Sequence, residues 1–406
     1  MTISTAHTSA DPLSLRNPYR PGAGHRPPYV AGREGEQKDI EGYFDQDSIL
    51  CNVVLTGLRG VGKTVLLDQL RQPAQDRKWF WVATDLSESA SVSEDSLSTR
   101  LLADLSVVTS AFQFQERIQA GPGFTTQTSH ILRRLDYSFL KSIFDQTPGL
   151  TMDKLKAVLE TSWLAIKDSG MRGIIFAYDE AQNLADHAAK DQFPLSMLLD
   201  IFQSIQRKGV PFMLLLTGLP TLFPKLVEAR TYAERMFHVV TLDRLNKLDC
   251  TAAINKPIEN YTIKFTPTGV AKICEVSGGY PYFVQFICRE SFDLVMRGVK
   301  LDVVQFQSIV TKLDTDFFAG RWAKATDRQR DLMIIVASLP NAEMEFSVQE
   351  IAEASKTTDG KPFSSSHINQ MLGSLVGSGL IFKNRHGKYA FAVPLLSHFI
   401  NRQCLP

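Results

Sequence analysis

"VVLTGLRGVGKTVLL", residues 53–67, is a continuous apolar run that breaks into glycines and ends in Lys-Thr before the apolar spacing resumes. Short, fully apolar runs of this kind are strands buried on both faces of a parallel sheet. Gly57-Leu58-Arg59-Gly60-Val61-Gly62-Lys63-Thr64 fits the spacing G-x-x-x-x-G-K-[ST]. Glycines let successive backbone N–H groups turn inward around phosphate oxygens, where a Cβ would obstruct. The helix expected from Gly62 to about Arg71 points its positive end at the same place. In this pattern Lys63 bridges the β- and γ-phosphates, Thr64 holds Mg²⁺, and Gly57, Arg59, Gly60, Val61, Gly62 and Val65 complete the phosphate contact set.

A loop of this type needs a second half, and the chain supplies one. "GIIFAYDE", residues 173–180, is apolar until it ends in two acids. A central strand delivers its last residues to the carboxyl edge of the sheet, where open α/β sheets bind ligands. Asp179 is therefore expected to orient Mg²⁺ through its water shell, and Glu180 to polarise the attacking water. "LLLTGLP" ends another apolar strand at Thr217, where a hydroxyl can hold the lytic water, although Thr before Gly is also an ordinary turn. Together these stretches predict binding and hydrolysis of ATP or GTP.

Short apolar strands at "KWFWVATDL", 173–180 and 211–220 alternate with helical patterns, which predicts an α/β core with a parallel sheet covered on both faces. Residues 92–170 carry helical spacing, broken at "AGPGF". After about Leu245 the strands stop and four helical patterns follow, the composition of a compact helical domain. From about Asp327 three helices precede "LIFKNRHGKYAFAV", a hairpin around a basic turn. The expected organisation is a disordered leader over 1–27 that becomes extended and Pro-rich, a nucleotide-binding core over 28–245, a helical domain over 246–322 and a C-terminal domain over 323–406.

Composition narrows the class. Of 406 residues, 44% are hydrophobic and 21% charged, with a net charge of +1, so no global charge excess points to nucleic acid or membrane. Cys51, Cys250, Cys274, Cys288 and Cys404 are scattered with no C-x-x-C pair, as for incidental thiols in a reducing compartment. No signal peptide opens the chain, and no apolar run approaches the ~18 residues of a membrane helix. A cytoplasmic protein is expected. No nucleophile triad or second motor core appears, which argues against a DNA-modifying enzyme or a translocating helicase.

These boxes, taken in order, resemble AAA+ ATPases of the initiator-like clade, which includes archaeal and eukaryotic replication initiators. "NPYRPGAG…PPYVAGRE…VVLTGLRGVGKTVLL" looks most like a bacterial single-protein group of this type, and the resemblance spans roughly residues 17–400. It implies a P-loop AAA+ core, a helical lid and a C-terminal winged helix-turn-helix domain. It makes ATP the nucleotide, with Val30 and Gly32 in "YVAGREGEQKDI" cupping adenine. It also implies an arginine finger that completes a neighbouring subunit's site, so a homo-oligomer or a protein partner. Arg235, which precedes a strand, matches that finger, with Arg230 as the fallback. The family's lid arginine is replaced by Tyr282 in "SGGYPYFVQ", a ring that either stacks near the base or packs within the lid.

The C-terminal domain is locally polarised. Residues 361–406 carry Lys361, Lys383, Arg385, Lys388 and Arg402 with His367, His386 and His398 and no acid, after a stretch rich in acids. Lys383, Arg385 and Lys388 on a hairpin suit DNA phosphates. The helix "SSSHINQMLGSLVGSG" would present Ser365, His367, Asn369 and Gln370, and Asn and Gln can bond adenine edges. That helix has no Arg or Lys, so two partners stand open: double-stranded DNA, or protein. The first makes an ATPase whose nucleotide state controls assembly on DNA. The second makes a signal-transduction switch, as in regulation or phage defence.

Overall fold

The computed structural model describes residues 16–22, 24–119, 128–299, 303–357, 362–385 and 387–404. The chain divides into two compact units: one holds Gly35–Gly57 and Leu66–Leu242, the other Met1–Glu34, Leu58–Val65 and Asp243–Pro406.

The first unit is an α/β layer structure. After helix α1 (Glu34–Gly42), strand β1 (Asn52–Gly57) leads to α2 (Lys63–Asp76), and β2 (Trp79–Asp85) to α3 (Glu94–Thr109). Strands β3 (Gln113–Gln119) and β4 (Thr128–Arg134) precede α4 (Tyr137–Gln146) and α5 (Thr151–Ile166). Then follow β5 (Gly173–Asp179), α6 (Pro194–Arg207), β6 (Phe212–Gly218), α7 (Leu222–Ala229), α8 (Ala233–Met236) and β7 (Phe237–Leu242). The main sheet is parallel, in the order β2-β5-β6-β1-β7. Every residue of β1, β5 and β6 is buried, which is why their sequences show no alternation. Phe176 of β5 meets Phe202 of α6 and Phe212 of β6 edge to face, with ring centroids 5.3 and 5.8 Å apart, locking helix to sheet.

Within 92–170 the structure departs from the all-helical expectation. β3 and β4 form an antiparallel ribbon, registered from Gln113 opposite Arg134 to Gln119 opposite Thr128. Phe114 and Ile118 stand four apart, as do Ile131 and Leu135, a spacing that imitates a helix face. Strand pairing overrides this local signal, as tertiary context commonly does.

The second unit opens on the Pro-rich segment, which is not a free leader from Asn17 onward. Asn17 donates to the Arg289 carbonyl at 2.9 Å and to Asp293 at 2.7 Å. Tyr19 is buried, and its hydroxyl donates to the Ile254 carbonyl at 2.5 Å. Two side chains thus pin the segment, a long-range pairing that low-complexity composition conceals. Residues 1–15 lie outside the described residues. The helical part comprises α9 (Lys247–Asn255), α10 (Pro267–Ser277), α11 (Pro281–Met296), α12 (Val303–Leu313), a π-helical turn (Asp314–Ala319) and α13 (Gly320–Trp322).

The C-terminal part has α14 (Asp327–Ala337), β8 (Phe346–Ser347), α15 (Val348–Ala354), α16 (Ser365–Gly377), β9 (Ile381–Arg385), β10 (Lys388–Phe391) and α17 (Leu396–Cys404). Its sheet runs β8-β10-β9, antiparallel. Helix α17 lies beyond the elements expected from sequence; Arg402 on it makes a paired contact with Asp314 of the π-turn, through Nε at 3.0 Å and Nη2 at 2.5 Å. By contact the helical and C-terminal parts form one unit together with the phosphate-loop segment, a grouping that linear boundaries do not express.

Candidate nucleotide site

The carboxyl edge of the main sheet collects the expected acid and hydroxyl. In the order β5-β6-β1, the strands end at Asp179, at Thr217-Gly218 and at Thr56-Gly57, in mutual register. Asp179 is 4% exposed, and its carboxylate accepts the Glu180 N–H at 2.8 Å. Glu180 is exposed and sits at φ +52°, a left-handed conformation that costs a non-glycine residue roughly 1–3 kcal/mol and gathers at functional sites. Thr217 is fully buried, and its hydroxyl has no hydrogen-bond partner. The hydroxyls of Thr56 and Tyr178, on the adjoining strands, are likewise buried without a partner.

Gln182, which sequence reasoning passed over, ties this edge together. Its amide donates to Glu180 and accepts the Leu219 N–H at 3.1 Å. The only sequence signal was its position two residues after the acid pair.

The phosphate-loop segment leaves β1 at Gly57. Gly60 and Gly62 adopt φ +79° and +95°, which side-chain-bearing residues rarely reach. Lys63 Nζ donates to the Leu58 carbonyl at 3.0 Å. The Gly60 carbonyl accepts the Tyr282 N–H at 3.1 Å. Arg33 is another residue the motif search missed: it is buried, and its guanidinium donates to the Val61 carbonyl at 3.0 Å and the Asp243 carbonyl at 2.5 Å. Gly32, at φ +61°, abuts the Asp249 side chain so closely that a Cβ there would collide with the carboxylate. Val30 is half-buried beside it in sequence. The Tyr282 ring packs within the lid, 5.6 Å from Phe283 and 5.1 Å from Phe317. Arg321 stacks on Phe317 at 4.1 Å, and burial together with the Arg59 charge lowers its pKa.

The two finger candidates are separated by their surroundings. Arg230 is committed to Asp200 through two hydrogen bonds of 2.9 and 2.7 Å and to Ser196 at 2.8 Å. Arg235, near the end of α8, is exposed.

Residues 29–227 match the family model described as AAA ATPase domain. The Walker-type ATPase PABY2304 of Pyrococcus abyssi is similar over 92% of this chain and 96% of its own, at 15% identity and a TM-score of 0.57. The Aeropyrum pernix ORC2 protein, solved as ADPNP-ADP complexes, is similar over 94% and 96%, at 14% identity and a TM-score of 0.53. The fold is that of an AAA+ P-loop NTPase. Residues 315–400 match a domain of unknown function, DUF8462, and no curated protein matches. No helix among the described residues is long and apolar enough to cross a membrane.

On the C-terminal part the basic residues are partly neutralised. Arg385 pairs with Glu345 at 2.7 Å and Lys388 with Glu350 at 3.3 Å, while Lys383 is exposed. Hydrogen bonds from Arg385 and Asn384 hold the Glu345 carboxyl below its ordinary range. On α16, Ser365, Asn369 and Gln370 are exposed; His367 is half-buried, its ring 5.7 Å from that of Phe363, and His398 is exposed on α17. Lys361 and His386 lie outside the described residues. The hairpin meets the phosphate-loop segment directly: Leu58 packs against Phe382, Ala390 and Ala392.

Proposed function

We propose that the chain binds ATP with Mg²⁺ and hydrolyses it as a nucleotide-dependent switch read out by its C-terminal domain, a winged helix that assembles on double-stranded DNA. The unbonded buried hydroxyl of Thr217 between the ends of β5 and β1 carries the catalytic part of this reading. The residues present fit the ligand. Gly60 and Gly62 hold the conformations a phosphate cradle needs. Thr64 and Asp179 supply hard oxygen donors of the kind Mg²⁺ takes while keeping phosphate and water ligands. Among the described residues no cluster of three or more His, Cys, Asp or Glu could hold a metal by itself. Bound Mg²⁺ would neutralise charge developing on the β- and γ-phosphates. Gly57, Arg59, Gly60, Val61, Gly62, Lys63, Thr64 and Val65 would hold phosphates, Val30 and Gly32 would meet adenine, Glu180 would orient the water and Thr217 would hold it.

Arg235 would serve a neighbouring subunit, because it is exposed whereas Arg230 is bonded within its own chain. Mixing a Lys63→Ala protein with an Arg235→Ala protein, each inactive alone, is expected to restore a fraction of the ATPase rate in hybrid sites. Absence of rescue with both proteins folded and associating would remove Arg235 from the finger role.

A second reading, in which the C-terminal domain serves a protein partner, draws on two observations. Glu345 and Glu350 already occupy Arg385 and Lys388, and the hairpin is seated on Leu58 of the phosphate loop. Titrating duplex-DNA retention with salt separates the two. If Lys383, Arg385 and Lys388 each meet a phosphate, affinity should fall about 40-fold for a fourfold rise in salt, from a slope of about −0.9 per contact. No retention at low salt, with or without ATP, would leave the protein-partner reading.

A further inference from the structure

We infer that Gln182 is a positioning residue for hydrolysis, one that couples the Glu180 carboxylate to the end of β6. This inference rests on the proposal that Glu180 orients the attacking water, and it assigns how that carboxylate is held.

Both ends of the Gln182 amide are used. Nε2 donates to Glu180 Oε2, and Oε1 accepts the Leu219 N–H at 3.1 Å. The bridge therefore runs from the acid after β5 to the peptide that follows Thr217-Gly218. The residue's main chain is held as well: Lys225 of α7 donates to the Gln182 carbonyl at 2.7 Å and to the Leu184 carbonyl at 3.2 Å. From the β2 side, Asn183 donates to the Leu86 carbonyl at 2.8 Å. The turn that presents Glu180 is thus anchored to α7 and to the residue after β2, while its side chain is anchored by a single amide.

Gly218 makes room for this amide. A Cβ at Gly218 would lie 2.7 Å from Gln182 Oε1 and 3.3 Å from the Gln182 nitrogen, so any side chain there pushes the bridge aside. Glu180 is exposed and free to sample other rotamers unless something holds it. An amide that donates to one carboxylate oxygen fixes the rotamer and leaves the other oxygen to accept from water. The same amide is bonded to the main chain two residues beyond Thr217, so it ties the acid to the end of β6.

The test compares Gln182→Ala, the near-isosteric Gln182→Glu and Glu180→Gln in the full-length protein. Turnover and the affinity for a fluorescent ATP analogue are measured separately. Gln182→Ala is expected to lower kcat about 10- to 100-fold, the scale of a misplaced reacting group, with nucleotide affinity changed less than about twofold. Gln182→Glu, which sets a like charge against Glu180, should lose at least as much. In a Glu180→Gln background, Gln182→Ala should have no further effect, because its only route to the chemistry is gone. Wild-type kcat in both Gln182 variants would overturn the inference. So would a full additional loss in the double variant, or a loss confined to affinity. If Glu180→Gln itself turns over normally, the assignment of Glu180 fails first and the inference with it. If Glu180→Gln is slow and the Gln182 variants are not, only the inference fails.

Discussion

Lys63→Ala is expected to abolish ATP binding in the micromolar range. Lys63 is the first residue of α2, directly after Gly62 in a left-handed conformation, and Nζ already reaches back to the Leu58 carbonyl at 3.0 Å. It is therefore curled over the loop and not extended into solvent. A cation held in that position replaces water around phosphate oxygens, and deleting one partner of a desolvated charge pair costs about 2–5 kcal/mol. Each 1.4 kcal/mol is tenfold, so affinity should fall by about 30- to 5,000-fold. Isothermal titration with ATP and Mg²⁺ checks this. Tight binding by the variant, with its melting temperature unchanged, would move the nucleotide away from residues 57–65.

Glu180→Gln should do the opposite at the binding step, retaining ATP while losing turnover. The substitution keeps size and one acceptor oxygen but removes the charge that would polarise water. General-base assistance contributes about 10²–10⁴-fold, and a loss on that scale is expected in kcat. The left-handed backbone at φ +52° presents this side chain beyond the strand end, whereas Asp179 stays buried. The two adjacent acids are thereby given different environments, one suited to a metal's water shell and one to mobile water. Filter retention of radiolabelled ATP should show a long-lived complex for the variant and rapid ADP release for the parent chain. Unchanged turnover would withdraw Glu180 from the role.

Much of the fold was legible in the linear chain because the glycine-rich motif is local. Its glycines, lysine and threonine are consecutive, and the backbone angles of Gly60 and Gly62 follow from residue type. The apolar runs ending at Asp179 and Thr217 announce buried parallel strands, since only strands covered on both faces dispense with alternation. What escaped were contacts between distant residues. Arg33 reads as a charge next to a glycine until its carbonyl partners at Val61 and Asp243 are known. Tyr19 reads as part of a low-complexity segment until its ring is buried and its hydroxyl meets Ile254. Arg235 is preferred to Arg230 by its place before a strand, but the sequence gives no sign that Asp200 claims Arg230.

The sequence by itself thus determined the nucleotide-binding class, the strands that carry the acids and the helical character of the second half. Each depends on residue type and short-range periodicity. Only the tertiary structure decided the β3–β4 ribbon, the grouping of the phosphate loop with the C-terminal half, and the bridge from Glu180 through Gln182 to Leu219. Those depend on hydrogen bonds and packing between residues far apart in the chain, where spacing carries no signal and geometry alone selects the partner.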